Sequence, residues 1–340
     1  MFKYRKRLKM FRPAILGFTF VFLFPALSSA DQSLIDGAKK EKELSIYSVM
    51  ALDVINQTLN NFKKKYPFLK VGLYRAGTQK VLTRTMAETR AGRFIADAYV
   101  VKARELSILR DNNLLMKYES PEGKNYRKDF KEPNGYWTVG YVAARVLGYN
   151  TRLVSEQDAP KSYEDLLDPK WKGKIGIPMQ RYAWFGTMCK AWGEEKAVSY
   201  FKKLVAQDLQ YHNGLTLNAN LLAAGEFSVL VIVSSRSMEY LKEKGAPVEW
   251  VRGGPVVVDA TASGISAKAP HPNAAKLFTD YYLSKENQEF MRDIRYIPGH
   301  PDVKPNPPRM LIDKQFSFSS ELIYKDLEYY TKLYKTIFPQ

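Results

Sequence analysis

Few side chains in this sequence belong to the types that catalyse reactions or hold metals. Three histidines are the only imidazole bases, and two of them, His271 and His300, each precede a proline. The single cysteine, Cys189, lies among aromatic residues and methionine, so we expect a buried core thiol. No Gly-x-Ser-x-Gly elbow, no Cys or His pair at metal spacing and no Gly-x-x-x-x-Gly-Lys phosphate loop occurs. These absences favour a binding protein over an enzyme, and we predict no cofactor and no metal.

The charge of the chain is strongly basic. Its 340 residues carry 52 Lys and Arg against 35 Asp and Glu, a formal net charge of +17. Such a balance is compatible with nucleic acid or an anionic surface, but no basic repeat or arginine-rich segment accompanies it. We therefore expect no nucleic acid partner, and an electrostatic field that favours small anionic ligands.

The first thirty residues have the pattern of a secretory signal peptide. A basic head from Lys3 to Arg12 precedes an apolar run from Ala14 to Leu27, and small residues lead to Ala30. As a helix the apolar run would span about 21 Å, short of the ~30 Å that a membrane anchor needs. We predict cleavage after Ala30 and, because no cysteine stands at the junction, a protein free in the periplasm.

Alternating patterns predict an open sheet with helices on its faces for the first part of the chain. Apolar residues alternate with polar ones in the first strand and recur every three or four residues in the first helix. Pro67 ends the first helix, and Thr78 is a suitable N-cap for the second. The predicted strands are 41–48, 69–74 and 96–101, and the predicted helices are 52–62, 78–92 and 103–112.

A second α/β unit begins near Trp137. Its most apolar strand, 227–233, suits only the centre of a sheet. Strands at 139–149 and 174–177, a short helix at 161–167 and a helix around 184–192 accompany it, and strands at 255–260 and 264–267 lead back. The expected fold class is α/β, with two Rossmann-like lobes and a central cleft. Lobe 1 would hold residues 31–138 plus 256–340, and lobe 2 residues 139–255.

Four stretches of the chain resemble the periplasmic substrate-binding proteins of ABC importers, in the branch that contains the ferric-iron-binding proteins. They are Arg90–Asp97, Pro160–Gly176, Ala224–Glu226 and Ala274–Gln288. The most specific element is Asp168-Pro-Lys-Trp-Lys-Gly-Lys174, and the resemblance covers about residues 44–301. It implies a type II periplasmic binding fold whose lobes close on a solute, which is then delivered to an inner-membrane ABC permease. These are scaffold signatures, so they say little about the ligand.

The positions that hold ferric ion in that branch carry other residues here. The resemblance implies two adjacent tyrosines after the most apolar strand, where this chain has Ser235 and Arg236, and a carboxylate after the third strand, where it has Lys102. A histidine expected after the first strand is also missing. Ferric ion prefers anionic oxygen ligands, and a cation in place of a carboxylate repels it by a few kcal/mol at ~4 Å. An anion site follows, unless both cations are surface residues.

Other candidates lie at strand ends and helix starts, where unpaired backbone N–H groups favour anions. Ser48 ends the first strand, Arg181 and Tyr182 open the helix after 174–177, and Asn213 precedes a helix around 217–223. Tyr182 could also stack on a ligand. The predicted ligand-binding residues are therefore Arg236, Lys102, Ser235, Arg181, Tyr182, Ser48 and Asn213.

The sequence predicts a monomeric solute-binding protein that captures a small carboxylate, phosphonate or phosphorylated compound. Its lobes would close about the two crossings near residues 139–148 and 255–260. Two alternatives stay open. One is a ferric iron or iron-chelate binder that uses other tyrosines among the 22. The other is a periplasmic ligand-binding partner of a sensor, which would share the fold.

Overall fold

A computed structural model describes residues 29–311, 317–319 and 323–339 of the chain. The predicted signal peptide lies outside the described residues except for Ser29 and Ala30, with which helix α1 (Ser29–Glu41) begins. No described helix is both long and apolar enough to cross a membrane.

The first part of the chain alternates strands and helices as predicted. Helix α2 shows why, because its apolar residues Val54, Ile55, Leu59 and Phe62 recur on one face and are buried. Thr78 is the first residue of its helix rather than the N-cap, which is Gly77. The elements are β1 (Glu43–Ser48), α2 (Leu52–Lys65), β2 (Lys70–Arg75), α3 (Thr78–Arg90), β3 (Ala98–Lys102), α4 (Ala103–Asp111) and β4 (Leu115–Met116).

The second part contains the longest strands. The predicted strands 255–260 and 264–267 form one strand. It pairs with the strand 137–150 both before and after a register shift between Thr261 and Ala262. The predicted helix 161–167 is a short 3₁₀ turn, Glu164–Leu167. The elements are β5 (Trp137–Asn150), β6 (Ile175–Pro178), α5 (Tyr182–Trp192), α6 (Glu194–Val205), β7 (Gln210–His212), α7 (Leu215–Ala224), β8 (Val229–Ser234), α8 (Ser235–Glu243), β9 (Val248–Val251), β10 (Val256–Ser266), α9 (Pro272–Leu283), α10 (Lys285–Asp293), β11 (Ile297–Pro298), β12 (Ser317–Ser319) and α11 (Leu327–Ile337).

The strands form a sheet in the order β2-β1-β3-β10-β5-β8-β6-β7. Strands β2, β1 and β3 are parallel, and β10 joins them antiparallel. Strands β7, β6 and β8 repeat the arrangement, and β5 joins them antiparallel. Because β5 and β10 also pair with each other, two similar α/β units meet at a pair of long crossing strands. The carboxyl ends of parallel strands are where ligands bind in such sheets.

The C-terminal helix lies with the second unit, not the first. The rings of Tyr334 on α11 and of Phe338, the residue that follows α11, contact Phe185 of α5 at centroid distances of 5.6 and 6.2 Å. Gly186 permits this approach, since a Cβ there would lie 2.8 Å from the Tyr330 ring. The aromatic face of α11 is therefore buried on α5, and the division of the chain into lobes 31–138 plus 256–340 and 139–255 stays a prediction.

The expected buried thiol is confirmed. Cys189 is 1% exposed in the core beneath α5 and has no disulfide partner. Burial raises the pKa of its thiol to about 12, so the side chain remains protonated and unreactive at neutral pH.

Candidate functional site

A cavity of about 270 Å³ lies on the crossing strands, between the first turns of two helices. Strand β5 contributes Arg145 and strand β10 contributes Asp259. Arg104 lies in the first turn of α4, and Arg181 immediately precedes α5. The remaining lining residues are Gln180, Tyr182, Ala183, Trp184, Leu215, Ile232, Val257 and Leu327.

An ion pair on the crossing strands faces this cavity. The Nε and Nη2 atoms of Arg145 both donate to Oδ2 of Asp259, with Nε at 3.0 Å. Their side chains retain 14% and 21% of their accessible surface, respectively. The pair is therefore held rigidly by two adjacent strands and remains in reach of a molecule in the cavity.

Arg181 brings a positive charge that no acidic side chain balances directly. Its Nε donates to the backbone carbonyl of Met179 at 2.8 Å, and no carboxylate among the described residues forms an ion pair with it. Burial and the nearby Arg145 lower the pKa of Arg181, but a guanidinium remains charged at neutral pH. Such a half-buried cation is stabilised by a bound anion.

Arg104 is paired with its neighbour in the chain. Its Nε and Nη2 donate to Oε1 of Glu105 at 2.8 and 2.6 Å. Glu105 is only 4% exposed, and burial raises the pKa of its carboxyl. The charge of Arg104 is therefore largely matched, although its guanidinium reaches the cavity.

Lys102 lies beside the same group of charges. Its Nζ donates to Oγ1 of Thr261 on β10 at 2.9 Å. Burial lowers the pKa of the ammonium, while the field of Asp259 raises it and that of Arg145 lowers it. The structure thus brings two of the predicted residues, Lys102 and Arg181, to the ion pair of Arg145 and Asp259.

Arg236, the first of the predicted ligand-binding residues, has protein partners. Its Nε donates to the carbonyl of Ile294 at 2.8 Å, and its guanidinium lies 4.6 Å from the centre of the Tyr296 ring. That ring contacts Tyr141 at a centroid distance of 4.1 Å. Arg236 therefore joins α8 to the turn after α10 and lies outside the cavity.

Of the other four predicted residues, one lines the cavity and three lie outside it. Tyr182 lines the cavity, and its ring meets that of Tyr334 edge-on at 5.1 Å. Ser48 lies elsewhere, and its hydroxyl accepts a bond from the backbone N–H of Met50 at 3.1 Å. Ser235 is 1% exposed at the start of α8, and its hydroxyl has no hydrogen-bond partner in the part of the chain that the structure describes. Asn213 is exposed in the loop before α7.

Sequence reasoning did not single out Arg104, Arg145 or Asp259. Two of them interrupt apolar strands, Arg145 within Val139–Tyr149 and Asp259 directly after Val256-Val257-Val258. Charged residues in central strands are rarely buried unless they are paired. Two such interruptions on neighbouring crossing strands are a usable signal for an ion pair at the base of a cleft.

The histidines and acidic residues were also compared with the requirements of a metal site. Among the described residues, no three His, Cys, Asp or Glu side chains come close enough to hold an ion. His271, one of the two histidines that precede a proline, has a protein partner, because its backbone N–H and its ring Nδ1 both bond to Asp97, at 2.7 and 2.9 Å. This bond fixes the start of α9 to the loop before β3.

The chain belongs to the family of bacterial extracellular solute-binding proteins, whose model matches residues 100–321. Together with its fold, this makes it a periplasmic solute-binding protein of the type II class, in the branch that includes the ferric-iron-binding proteins. The resemblance inferred from the sequence and the predicted fold class are both confirmed.

Three similar proteins illustrate the range of that branch. The structure of the periplasmic binding protein P5PA has 27% identity and a TM-score of 0.71, covering 87% of this chain and 99% of its own. The structure of AfuA from Actinobacillus pleuropneumoniae, with exogenous fructose-6-phosphate bound, has 25% identity and a TM-score of 0.71, covering 87% and 98%. Iron uptake protein A1 of Synechocystis sp. is 23% identical over 303 residues, 82% of this chain and 83% of its own.

Proposed function

We propose that this protein binds a small phosphorylated compound in the cavity between α4 and α5 and delivers it to an inner-membrane ABC permease. The observation that carries the proposal is the guanidinium of Arg181, which faces a cavity on the crossing strands without a carboxylate partner among the described residues. Delivery to a permease is the role that the family implies.

The charges around the cavity match a dianion. Among the described residues, four cations meet two carboxylates there: Arg104 is paired with Glu105, and Arg145 with Asp259. This leaves the charges of Lys102 and Arg181 in excess. A phosphate monoester carries up to two negative charges at neutral pH, and its oxygens accept bidentate bonds from arginine. A phosphorylated compound therefore fits the charge better than a monocarboxylate does.

The helix starts add to this preference. Lys102 and Arg181 are the residues that precede α4 and α5, and neither caps its helix with a side-chain hydrogen bond. The first-turn N–H groups of both helices lie at the positive ends of the helix dipoles. These helix ends stabilise a bound anion. The fructose-6-phosphate in AfuA supports a phosphate ester as the ligand class, since that protein shares both lobes of this fold.

Isothermal titration calorimetry tests the proposal. Wild-type protein would be titrated with glycerol 3-phosphate, a hexose 6-phosphate and citrate, and Arg181→Ala would be compared with Asn213→Ala, an exposed loop substitution. We expect at least one phosphate ester to bind, with affinity lost in Arg181→Ala and retained in Asn213→Ala. A thermal-shift assay gives a second readout, because a ligand at a hundred times its Kd stabilises by about 2.7 kcal/mol. Absence of binding by every anion would contradict the proposal.

Ferric iron is the second candidate ligand, because a relative that covers most of the chain is named for iron uptake. Tyr141 and Tyr296 are in ring contact near the crossing strands, but Arg236 lies over the second ring, where its charge opposes a trivalent cation. A visible charge-transfer band on addition of ferric citrate, unchanged in Arg181→Ala, would favour iron over the phosphorylated compound.

A further inference from the structure

The C-terminal helix α11 contributes to the cavity that contains Arg181. Leu327, the first residue of α11, lines this cavity together with Leu215, the first residue of α7. Both leucines are partly buried, whereas two other aliphatic residues of the lining, Ile232 and Val257, are each only 1% exposed. Among the described residues, Leu215 and Leu327 are therefore the larger aliphatic side chains that a ligand in the cavity can contact.

Packing against α5 holds Leu327 at a fixed distance from Arg181, because Arg181 immediately precedes α5. A Cβ at Gly186 of α5 would lie 2.8 Å from the ring of Tyr330 on α11, so the two helices pack closely there. The ring of Tyr334 meets two aromatic rings of α5 at centroid distances of 5.1 and 5.6 Å. Protein interiors are close-packed and yield little to added volume, so α11 is a rigid wall of the cavity.

Polar contacts also join α11 to α5 and to the loop before it. Asp326, which precedes α11, forms an ion pair with Lys190 of α5 at 3.0 Å. Burial raises the pKa of the Tyr334 hydroxyl to about 12, while hydrogen bonds with the backbone of Gln180 and Arg181 lower it. The loop that presents Arg181 and the helix α11 are therefore fixed to each other.

The size of the cavity restricts what can be bound beside the guanidinium. Its volume of about 270 Å³ lies just below the range of roughly 300–1,000 Å³ that is usual for the sites of drug-sized ligands. When a phosphate group lies at Arg181, the organic part of the ligand has to fit into the remaining space, which Leu327 borders. Atoms in excess of that space have to displace packed side chains or backbone, which disfavours binding.

We infer that Leu327 is a specificity-determining residue that limits the size of the organic part of the ligand. The inference rests on the proposed function and narrows the ligand class to compact phosphate monoesters. Affinity for the phosphate comes from Arg181 and the helix starts, whereas discrimination by size comes from α11. One methylene in a hydrophobic pocket changes discrimination by about 10- to 200-fold, so a substitution at Leu327 changes ligand preference measurably.

Calorimetric titration with glycerol 3-phosphate and glucose 6-phosphate tests the inference through the ratio of the two affinities. Leu327→Trp narrows the cavity and should weaken the binding of glucose 6-phosphate at least tenfold relative to glycerol 3-phosphate. Leu327→Ala widens the cavity and should shift the ratio at least threefold toward glucose 6-phosphate. Leu333 is the matched control, because it is a partly buried leucine of the same helix that is not part of the lining. Leu333→Trp and Leu333→Ala should keep the wild-type ratio.

The outcomes separate the inference from the proposed function. If the ratio in Leu327→Trp stays within threefold of the wild-type value, the inference is overturned, while the phosphate proposal is left intact. A shift of the ratio in the Leu333 variants as large as in the Leu327 variants also overturns it, because the effect then comes from the packing of α11. Failure of both esters to bind wild-type protein overturns both. Thermal unfolding of each variant establishes that it is folded, and Leu327→Ala decides by the same criterion if Leu327→Trp is not.

Discussion

Arg181 and Arg236 occupy similar positions in the chain but have different surroundings. Each follows a strand and lies at the first turn of a helix, α5 in one case and α8 in the other. Arg181 lines a cavity, and the hydrogen bond that its guanidinium donates among the described residues goes to the backbone carbonyl of Met179 in its own loop. Arg236 donates to the carbonyl of Ile294 and stacks on Tyr296. A cation at a helix start is therefore a ligand candidate only when the fold leaves its donors facing open space.

The different surroundings of Arg181 and Arg236 indicate separate roles for the two regions. The region around Arg181 has, among the described residues, an excess of positive charge beside the paired strands β5 and β10, which suits recognition of an anion. The region around Arg236 joins α8 to the turn after α10, where Arg295 also forms an ion pair with Glu243. These contacts tie α8 to the turn after α10, so we expect Arg236 to contribute to stability more than to ligand affinity.

The largest effect is expected at Arg181. Arg181→Ala should weaken the binding of a phosphate ester by about 10- to 100-fold, since a hydrogen bond to a charged group contributes about 1.5–3 kcal/mol. Arg181→Lys, which keeps the charge but loses the bidentate geometry, should fall between wild type and alanine. Calorimetric titration measures both. Equal affinity in wild type and Arg181→Ala would place the ligand elsewhere.

Lys102 should give the site a pH dependence. Because burial lowers the pKa of Lys102 below its ordinary value of 10.5, the folded protein binds fewer protons than the unfolded chain between the two pKa values. The free energy of unfolding should therefore rise with pH through that window, up to about 10.5. Urea unfolding from pH 7 to 10 measures this contribution as the difference between wild type and Lys102→Met.

Ligand binding should shift the same proton equilibrium in the opposite direction. A bound phosphate favours the charged ammonium and raises the pKa of Lys102, so affinity should fall as pH rises toward 10. Lys102→Met should bind more weakly than wild type at pH 7 and show a flatter pH profile. A variant whose stability and affinity follow the wild-type pH profiles would contradict the placement of Lys102 beside the site.

A smaller effect on binding is expected at Arg236. Arg236→Ala should lower the free energy of unfolding by about 1–2 kcal/mol, since it removes a charged donor and a cation–π contact. The affinity for a phosphate ester should change less than threefold. Denaturant unfolding and calorimetry on the same preparation test this, with Arg236→Lys as the charge-preserving control. A large loss of affinity at unchanged stability would make Arg236 a ligand contact.

The smallest effects are expected at Ser48 and Asn213. Ser48→Ala removes the acceptor for the Met50 N–H and should cost about 1 kcal/mol of stability without a change in affinity. Asn213→Ala, in an exposed loop, should change neither quantity measurably. A loss of affinity in either variant, seen in the same titrations, would mean that the ligand extends beyond the cavity.

Most of the scaffold could be predicted from the sequence, because hydrophobic periodicity and strand length depend on local residues. The predicted strand 227–233 and the predicted helix 52–62 illustrate this. Each has apolar residues in the expected pattern, and the structure contains a strand and a helix there. The placement of α11 could not be predicted in this way. A Tyr-rich amphipathic helix can be buried on either lobe, and only the shape around Gly186 and Phe185 selects the second.

The site was predicted less completely than the fold. Arg181 and Tyr182 were predicted because they lie between a strand end and a helix start. Lys102 was predicted because it stands where the ferric-iron-binding proteins have a carboxylate. The partners of Arg236 could not be foreseen, because Ile294 and Tyr296 are 58 and 60 residues away in the chain. The pairing of Arg145 with Asp259 is likewise a long-range contact. The sequence gives the position of each cationic residue, but the partner of that residue depends on the tertiary structure.

A crystal structure of the protein with a bound hexose 6-phosphate tests the central claim most directly. We predict that the phosphate lies between the first turns of α4 and α5, within hydrogen-bond distance of the Arg181 guanidinium. A phosphate held instead by Ser235 and Arg236, or a ferric ion held by tyrosines with no phosphate at Arg181, would contradict the assignment of this cavity as the binding site.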